Sequence, residues 1–205
     1  MVDLGADFRL ATVTTAQETE ITGFVDAATF KDMAAKNGEF TLDQVEVDIV
    51  HWASDKTLVR ADLEWVRDGD VHTAQLEQGF MTYTADCGGS LTFGKFNAPI
   101  GFELLDPPDM FQYSHSLVFD HGLPTNLTGL MLNKDFGDGI DLALHVSNGW
   151  DADAMAGKNV TWGGRLGYGK GGFTGGISAI SGKEEVVETD PVEAFTRTVF
   201  DVDLG

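Results

Sequence analysis

The feature that most constrains this chain is an alternation with a period of two residues, running from about residue 18 onward. In Ile140-Asp141-Leu142-Ala143-Leu144-His145-Val146, large apolar groups take every second place, with small or polar groups between them. Val45, Val47 and Ile49 alternate with Gln44, Glu46 and Asp48. Val59, Ala61, Leu63 and Trp65 alternate with Arg60, Asp62 and Glu64, and Trp162, Gly164, Leu166 and Tyr168 with Thr161, Gly163, Arg165 and Gly167. Successive side chains of a strand point to opposite faces, so each segment has one apolar and one polar side. Helical spacing is nearly absent; Met33-Ala34-Ala35-Lys36 is too short to count. The class is all-β.

Turn chemistry divides the pattern. Asp68-Gly69, Asp138-Gly139 and Gly171-Gly172 are hairpin signals. They place strands near 19–30, 41–52, 57–67, 72–84, 90–96, 127–134, 140–149, 160–169, 173–181 and 195–204. The connections 31–40, 97–125, 150–159 and 182–194 read as long and most of the others as short, with the Asp68-Gly69 turn breaking a strict alternation. Long loops at one end and tight turns at the other describe an antiparallel up-and-down transmembrane β-barrel of about ten visible strands. A Greek-key sandwich has no reason to sort its loops this way.

Composition removes other classes. With 33 acidic against 13 basic residues, the formal charge is −20. That opposes nucleic-acid binding, which needs surplus Lys and Arg to displace counterions. The single Cys, Cys87, permits neither an intrachain disulfide nor a cysteine-based zinc site. No stretch approaches the ~18 apolar residues of a spanning helix. The start, Met1 to Asp7, lacks the basic and hydrophobic regions of a signal peptide.

The polar side of the strands carries Glu46, Asp48, Arg60, Asp62, Glu64, Gln75, Glu77, Asp141, His145 and Arg165. A closed dry barrel could not hold so many ionised groups, since an unpaired buried charge costs several kcal/mol. A hydrated bore could, with these as its lining; the solvent face of a soluble, secreted or surface β-sandwich, binding carbohydrate or a partner protein, accounts for the same charges. Acidic groups outnumber basic ones along that side, which predicts a preference for cations if it lines a channel. Trp65, Trp150, Trp162 and Tyr168 fall on the apolar side of their strands, the Trp residues near strand ends, where an aromatic girdle sits at the membrane interface. Trp52 runs against this, sharing its parity with Glu46 and Asp48 unless a bulge intervenes.

Between residues 94 and 151 the sequence carries motifs in fixed order: Gly94-Lys95-Phe96 followed by Pro99 and Gly101, then Asp106-Pro107-Pro108-Asp109, Thr128-Gly129, and Asn148-Gly149-Trp150-Asp151. In these the chain resembles the OmpL-like β-barrel porin family of Gram-negative outer membranes. The resemblance implies a single β-barrel domain over 1–205 with an ill-defined segment at 1–17. It also implies a bacterial outer-membrane location and a channel for passive diffusion of small hydrophilic solutes or ions. Outer-membrane lipid is the implied surrounding, homo-oligomerisation a further expectation, and no cofactor is implied. The loop 97–125 would then fold into the bore and narrow it, or pack over its rim. Pro99, Pro107 and Pro108 stiffen this excursion, and Asp106 and Asp109 could place fixed charge at the constriction. Lys95 shares its parity with Leu91 and Phe93 and so points away from the polar side. A last segment without a terminal aromatic, and the missing signal, lead to the expectation of a fragment lacking both ends.

Nothing in the sequence nominates an enzyme. His51, His72, His115, His121 and His145 are scattered, with no HExxH or GxSxG pattern. Asp135-Phe136-Gly137 stands without the other kinase motifs, and Gly169-Lys170-Gly171-Gly172 lacks phosphate-loop spacing. Asp151-Ala152-Asp153 offers two carboxylates for Ca²⁺, but a solvated loop is the simpler reading. No metal site is expected.

Overall fold

A computed structural model describes residues 18–32, 37–110, 112–154, 160–186 and 193–205. The expected N-terminal segment 1–17 and Met33-Ala34-Ala35-Lys36 lie outside the described residues. Ten strands form one sheet in sequence order: β1 (Thr19–Asp32), β2 (Asn37–Ser54), β3 (Thr57–Asp68), β4 (Val71–Thr84), β5 (Gly89–Asn97), β6 (Asn126–Gly137), β7 (Ile140–Ser147), β8 (Thr161–Lys170), β9 (Phe173–Val186) and β10 (Glu193–Leu204). Every neighbouring pair is antiparallel. This is the up-and-down meander and not a pair of sandwiched sheets. No ladder joins β1 to β10 among the described residues, so the sheet is open here. No described helix is long and apolar enough to cross a membrane; one helical turn (Pro107–Asp109) and α1 (Leu117–Gly122) lie between β5 and β6.

The hairpins form where the turn residues permit. Asp138 and Gly139 hold φ of 54° and 86°, and Gly171 and Gly172 hold 68° and 83°. Positive φ at both central positions matches the right-handed twist of the flanking strands. Two connections expected to be long are shortened by strand extension: β1 runs to Asp32 and β2 resumes at Asn37, and β9 runs to Val186. The ladder continues past the apolar stretch because backbone pairing does not depend on it; Phe30 pairs with Glu39 and Phe195 with Glu184. The long excursions are therefore those between β5 and β6 and between β7 and β8.

The two faces of the sheet are the inverse of an ordinary soluble protein's. Glu46 is 2% exposed and Asp62 is 0% exposed, while Leu144 is 51% and Phe200 80% exposed. Ile21, Val25, Leu63, Leu76, Phe93, Leu132, Leu166, Ile177 and Val202 share the outer side with them. Trp52 keeps the parity of Glu46; the irregularity in its ladder falls after it, between Trp52 and Ser54, and leaves it half-buried.

Two glycines of the motif region meet across the β5–β6 ladder, where Gly94 pairs with Gly129. A Cβ on Gly94, whose φ is 134°, would meet the Gly79 oxygen at 2.2 Å, and one on Gly129 would meet the Val146 oxygen at 2.1 Å. Neighbouring backbones approach too closely there for any side chain. Beyond this point Phe96, Ile100, Leu123, Leu127 and Ile180 make a small apolar cluster on the inner side.

The outer face yields a direct test. Leu144→Arg is expected to cost about 2–4 kcal/mol of folding in lipid vesicles, as a charge does at the bilayer midplane. A surface position facing water would tolerate it within about 0.5 kcal/mol. Urea unfolding in vesicles measures the difference.

Candidate functional site

The inner wall of β2, β3 and β4 is built from carboxylates facing each other. Glu46 pairs with Glu64 and Asp48 with Asp62 across the β2–β3 ladder. Like charges directly opposite are unfavourable, and the sequence supplies donors between them. Gln44 Nε2 donates to Glu46 Oε2 at 3.1 Å and to Glu64 Oε2 at 2.9 Å. Gln75 Nε2 donates to Glu64 Oε1 at 2.6 Å, and Gln78 Nε2 to Asp62 Oδ2 at 2.6 Å. Arg60 Nε reaches both oxygens of Asp62 at 2.8 Å, and its Nη2 lies 3.9 Å from Asp48 Oδ1. Thr22 of β1 adds a hydroxyl to Asp48 Oδ2 at 3.1 Å.

A bulge completes the wall. Asp62 pairs with Gln78 and Leu63 with Leu76, so Glu77 is the extra residue on β4. The bulge turns Glu77 and Gln78 both inward, where each is buried. The amide donors Gln44 and Gln78 were not singled out by sequence reasoning; for Gln78 strict alternation points outward, and only a bulge signal could have found it.

The segment between β5 and β6 crosses the inner side. Ile100 and Leu123 pack on the apolar cluster, and a cavity beside α1 is lined by Gly101, Phe119, Leu123, Asp201 and Leu204. From there the chain reaches Asp106, whose carboxylate comes within 4.8 Å of those of Glu46 and Glu77. Burial, Asp48, Asp109 and Asp62 push the Asp106 carboxyl up to about 6. Pro107 opens the short helical turn with Asp106 at its cap, and Pro99 and Pro107 are half-buried, whereas Pro108 and Asp109 are exposed.

A second inner group lies on β7 to β10. Arg165 forms an ion pair with Asp203 and donates to Ser178 at 3.1 Å. Asp203 was missed because it sits in a terminal strand with no visible partner in sequence. Asp141 has the inner parity but is exposed at the strand end, sharing a cavity with Arg165, Gly167 and Asp203. His145 is buried opposite Gly163, and neither ring nitrogen finds a hydrogen-bond partner among the described residues. Ser147 and Thr161, paired across the same ladder, also leave hydroxyls unpartnered there.

On the outer side, Trp162 is 62% exposed, and Trp65 and Tyr168 are exposed less fully. Trp150 departs from the girdle expectation. β7 ends at Ser147, and Trp150 turns inward onto the apolar cluster with the Arg197 guanidinium 4.7 Å from its ring centre. Asp151 departs from the solvated-loop reading: its Oδ1 accepts from the Thr125 and Asn126 amides and the Thr125 hydroxyl, each at 2.8 Å. It fastens the return of the long loop. Lys95, outward as parity requires, pairs with Asp153 at 3.1 Å.

The family model described as "Putative beta-barrel porin-2, OmpL-like" matches residues 11–204. No curated protein and no solved structure matches the chain.

The loop offers a pH test. The Ser116 backbone amide donates to Glu103 Oε2 at 2.8 Å, and the Ser116 side chain first and this backbone contact second hold the Glu103 carboxyl below its ordinary 4.5. A depressed carboxyl gives stability that is present above its ordinary value and lost as pH falls through the lowered one. Exchange of the Ser116 amide is expected to be slow at neutral pH and to speed up in acid, as pH falls through the lowered value, relative to unstructured peptide. Glu103→Gln should remove that step.

Proposed function

The chain belongs to the OmpL-like β-barrel porin family, and from that premise we propose that it provides a hydrated outer-membrane path for small hydrophilic solutes or ions, with a preference for cations. The family is one of porin-type channels and is in general non-enzymatic. Outer-membrane lipid is the surrounding such a family implies. The observation that carries the finer reading is the burial of Glu46, Asp62, Glu64 and Glu77 on the face opposite the exposed Leu63, Leu144 and Leu166. Hydrogen bonds from Gln44, Gln75, Gln78 and Arg60 make the charges of Glu46, Asp62 and Glu64 tolerable on that side, where they set the potential along the path.

In this reading Glu46, Asp48, Arg60, Asp62, Glu64, Glu77, Asp141, His145 and Arg165 line the path. The segment carrying Pro99, Asp106, Pro107, Pro108 and Asp109 narrows it. Arg60 is spent largely on Asp62 and Asp48, and Arg165 on Asp203, so neither basic group offsets the remaining carboxylates. A potential dominated by carboxylates concentrates cations and repels anions. Trp65, Trp162 and Tyr168 would meet the interfacial zone of the bilayer.

The experiment is a reversal potential across a planar bilayer in a KCl gradient. The sign for cation preference is expected, and Glu64→Gln should reduce the ratio of K⁺ to Cl⁻ permeability. An anion-selective current, or a ratio unmoved by this change, contradicts the lining assigned here.

A further inference from the structure

We infer that Glu46, Glu77 and Asp106 form a divalent-cation site, of calcium type, that clips the long loop to the sheet wall. One oxygen of each residue lies within 4.8 Å of the others, a spread that one Ca²⁺ can span with oxygen contacts of about 2.3–2.6 Å. The residues come from three separate places: the inner face of β2, the bulge of β4 and the cap of the helical turn.

Proximity of acidic groups is not the whole argument. Glu77 is 3% exposed, and neither of its carboxylate oxygens accepts a hydrogen bond among the described residues. Asn97 lies near it but outside hydrogen-bond geometry. Elsewhere on the same wall every buried carboxylate residue has a donor: Gln44 serves Glu46 and Glu64, and Gln78 and Arg60 serve Asp62. Glu77 is aimed at Glu46 and Asp106 with no hydrogen bond from the described residues, and Asp106 Oδ1 is likewise buried without a partner among them. Arg60 makes its ion pairs with Asp62 and Asp48, not with these three. An unsatisfied buried charge is costly, and an oxygen-seeking cation supplies the missing charge and the missing contacts together.

Calcium suits the set better than magnesium. Its coordination is larger and irregular, and it accepts carboxylates mono- or bidentately, whereas Mg²⁺ demands near-ideal octahedral geometry at shorter distances. The consequence is a loop whose attachment to β2 and β4 depends on the ion. The site stands whether or not the barrel conducts.

The test uses the full chain, folded in detergent micelles and stripped with EDTA, and titrates CaCl₂ calorimetrically at neutral pH. Saturable binding of one ion per chain is expected, with Mg²⁺ a poor competitor. Glu77→Gln and Asp106→Asn should each weaken it by about tenfold or more, as removal of a charged ligand does. Asp138→Asn, at an exposed hairpin, should leave it unchanged. If Glu77→Gln fails to fold, Asp106→Asn in the loop decides alone. No saturable calcium uptake, or uptake that both ligand variants retain at full affinity, overturns the site. Because the readout is binding and not current, it remains decisive even if the conduction reading fails.

Discussion

Everything in this structure depends on where the carboxylates of the second, third and fourth strands obtain their hydrogen bonds. With the outer face given to Leu, Val, Ile and aromatic side chains, the acidic residues have only the inner side to occupy. There Glu46 faces Glu64 and Asp48 faces Asp62. Three glutamines and one arginine threaded between them make the arrangement tolerable. Breaking such a network by removing one member leaves an uncompensated buried charge, which is why its members act as a unit.

The long excursion after the fifth strand gains its position from the same wall. Both of its ends are seated through Ile100 and Leu123 on an apolar cluster around Phe96, Leu127 and Ile180, and the later end is also tied by Asp151 to Thr125 and Asn126. Between these anchors Asp106 is carried to the acidic wall. The motif residues of the region thus have separate physical tasks. Gly94 and Gly129 allow close backbones, Trp150 covers the cluster beneath Arg197, and Asp151 fastens the loop base.

Much of this was legible in the amino-acid order. Period-two alternation located all ten strands, and Asp138-Gly139 and Gly171-Gly172 announced their turns, because side-chain direction and φ preference are local properties. The inner positions of Glu46, Asp62, Glu64 and Glu77 followed from the same parity. What escaped depends on partners far along the chain. Gln78 turns inward through a bulge that parity does not anticipate, and Asp203 gains meaning only beside Arg165. Trp150 lies past the last paired residue of its strand, so alternation no longer governs its direction. Asp151 read as a solvated loop residue because hydrogen bonds to Thr125 leave no periodic trace.

The central claim is that the apolar face meets hydrocarbon and the acidic face is turned away from it, toward the inside of the barrel. A nitroxide scan through residues 140–147 in lipid vesicles tests it most directly, reading collision with oxygen, which favours the bilayer, against a water-soluble nickel chelate. The account predicts oxygen maxima at Leu142, Leu144 and Val146 and nickel maxima at Asp141, Ala143 and His145, a strict alternation in opposite phase. The reverse phase, or equal access to the nickel chelate at every position, would contradict it.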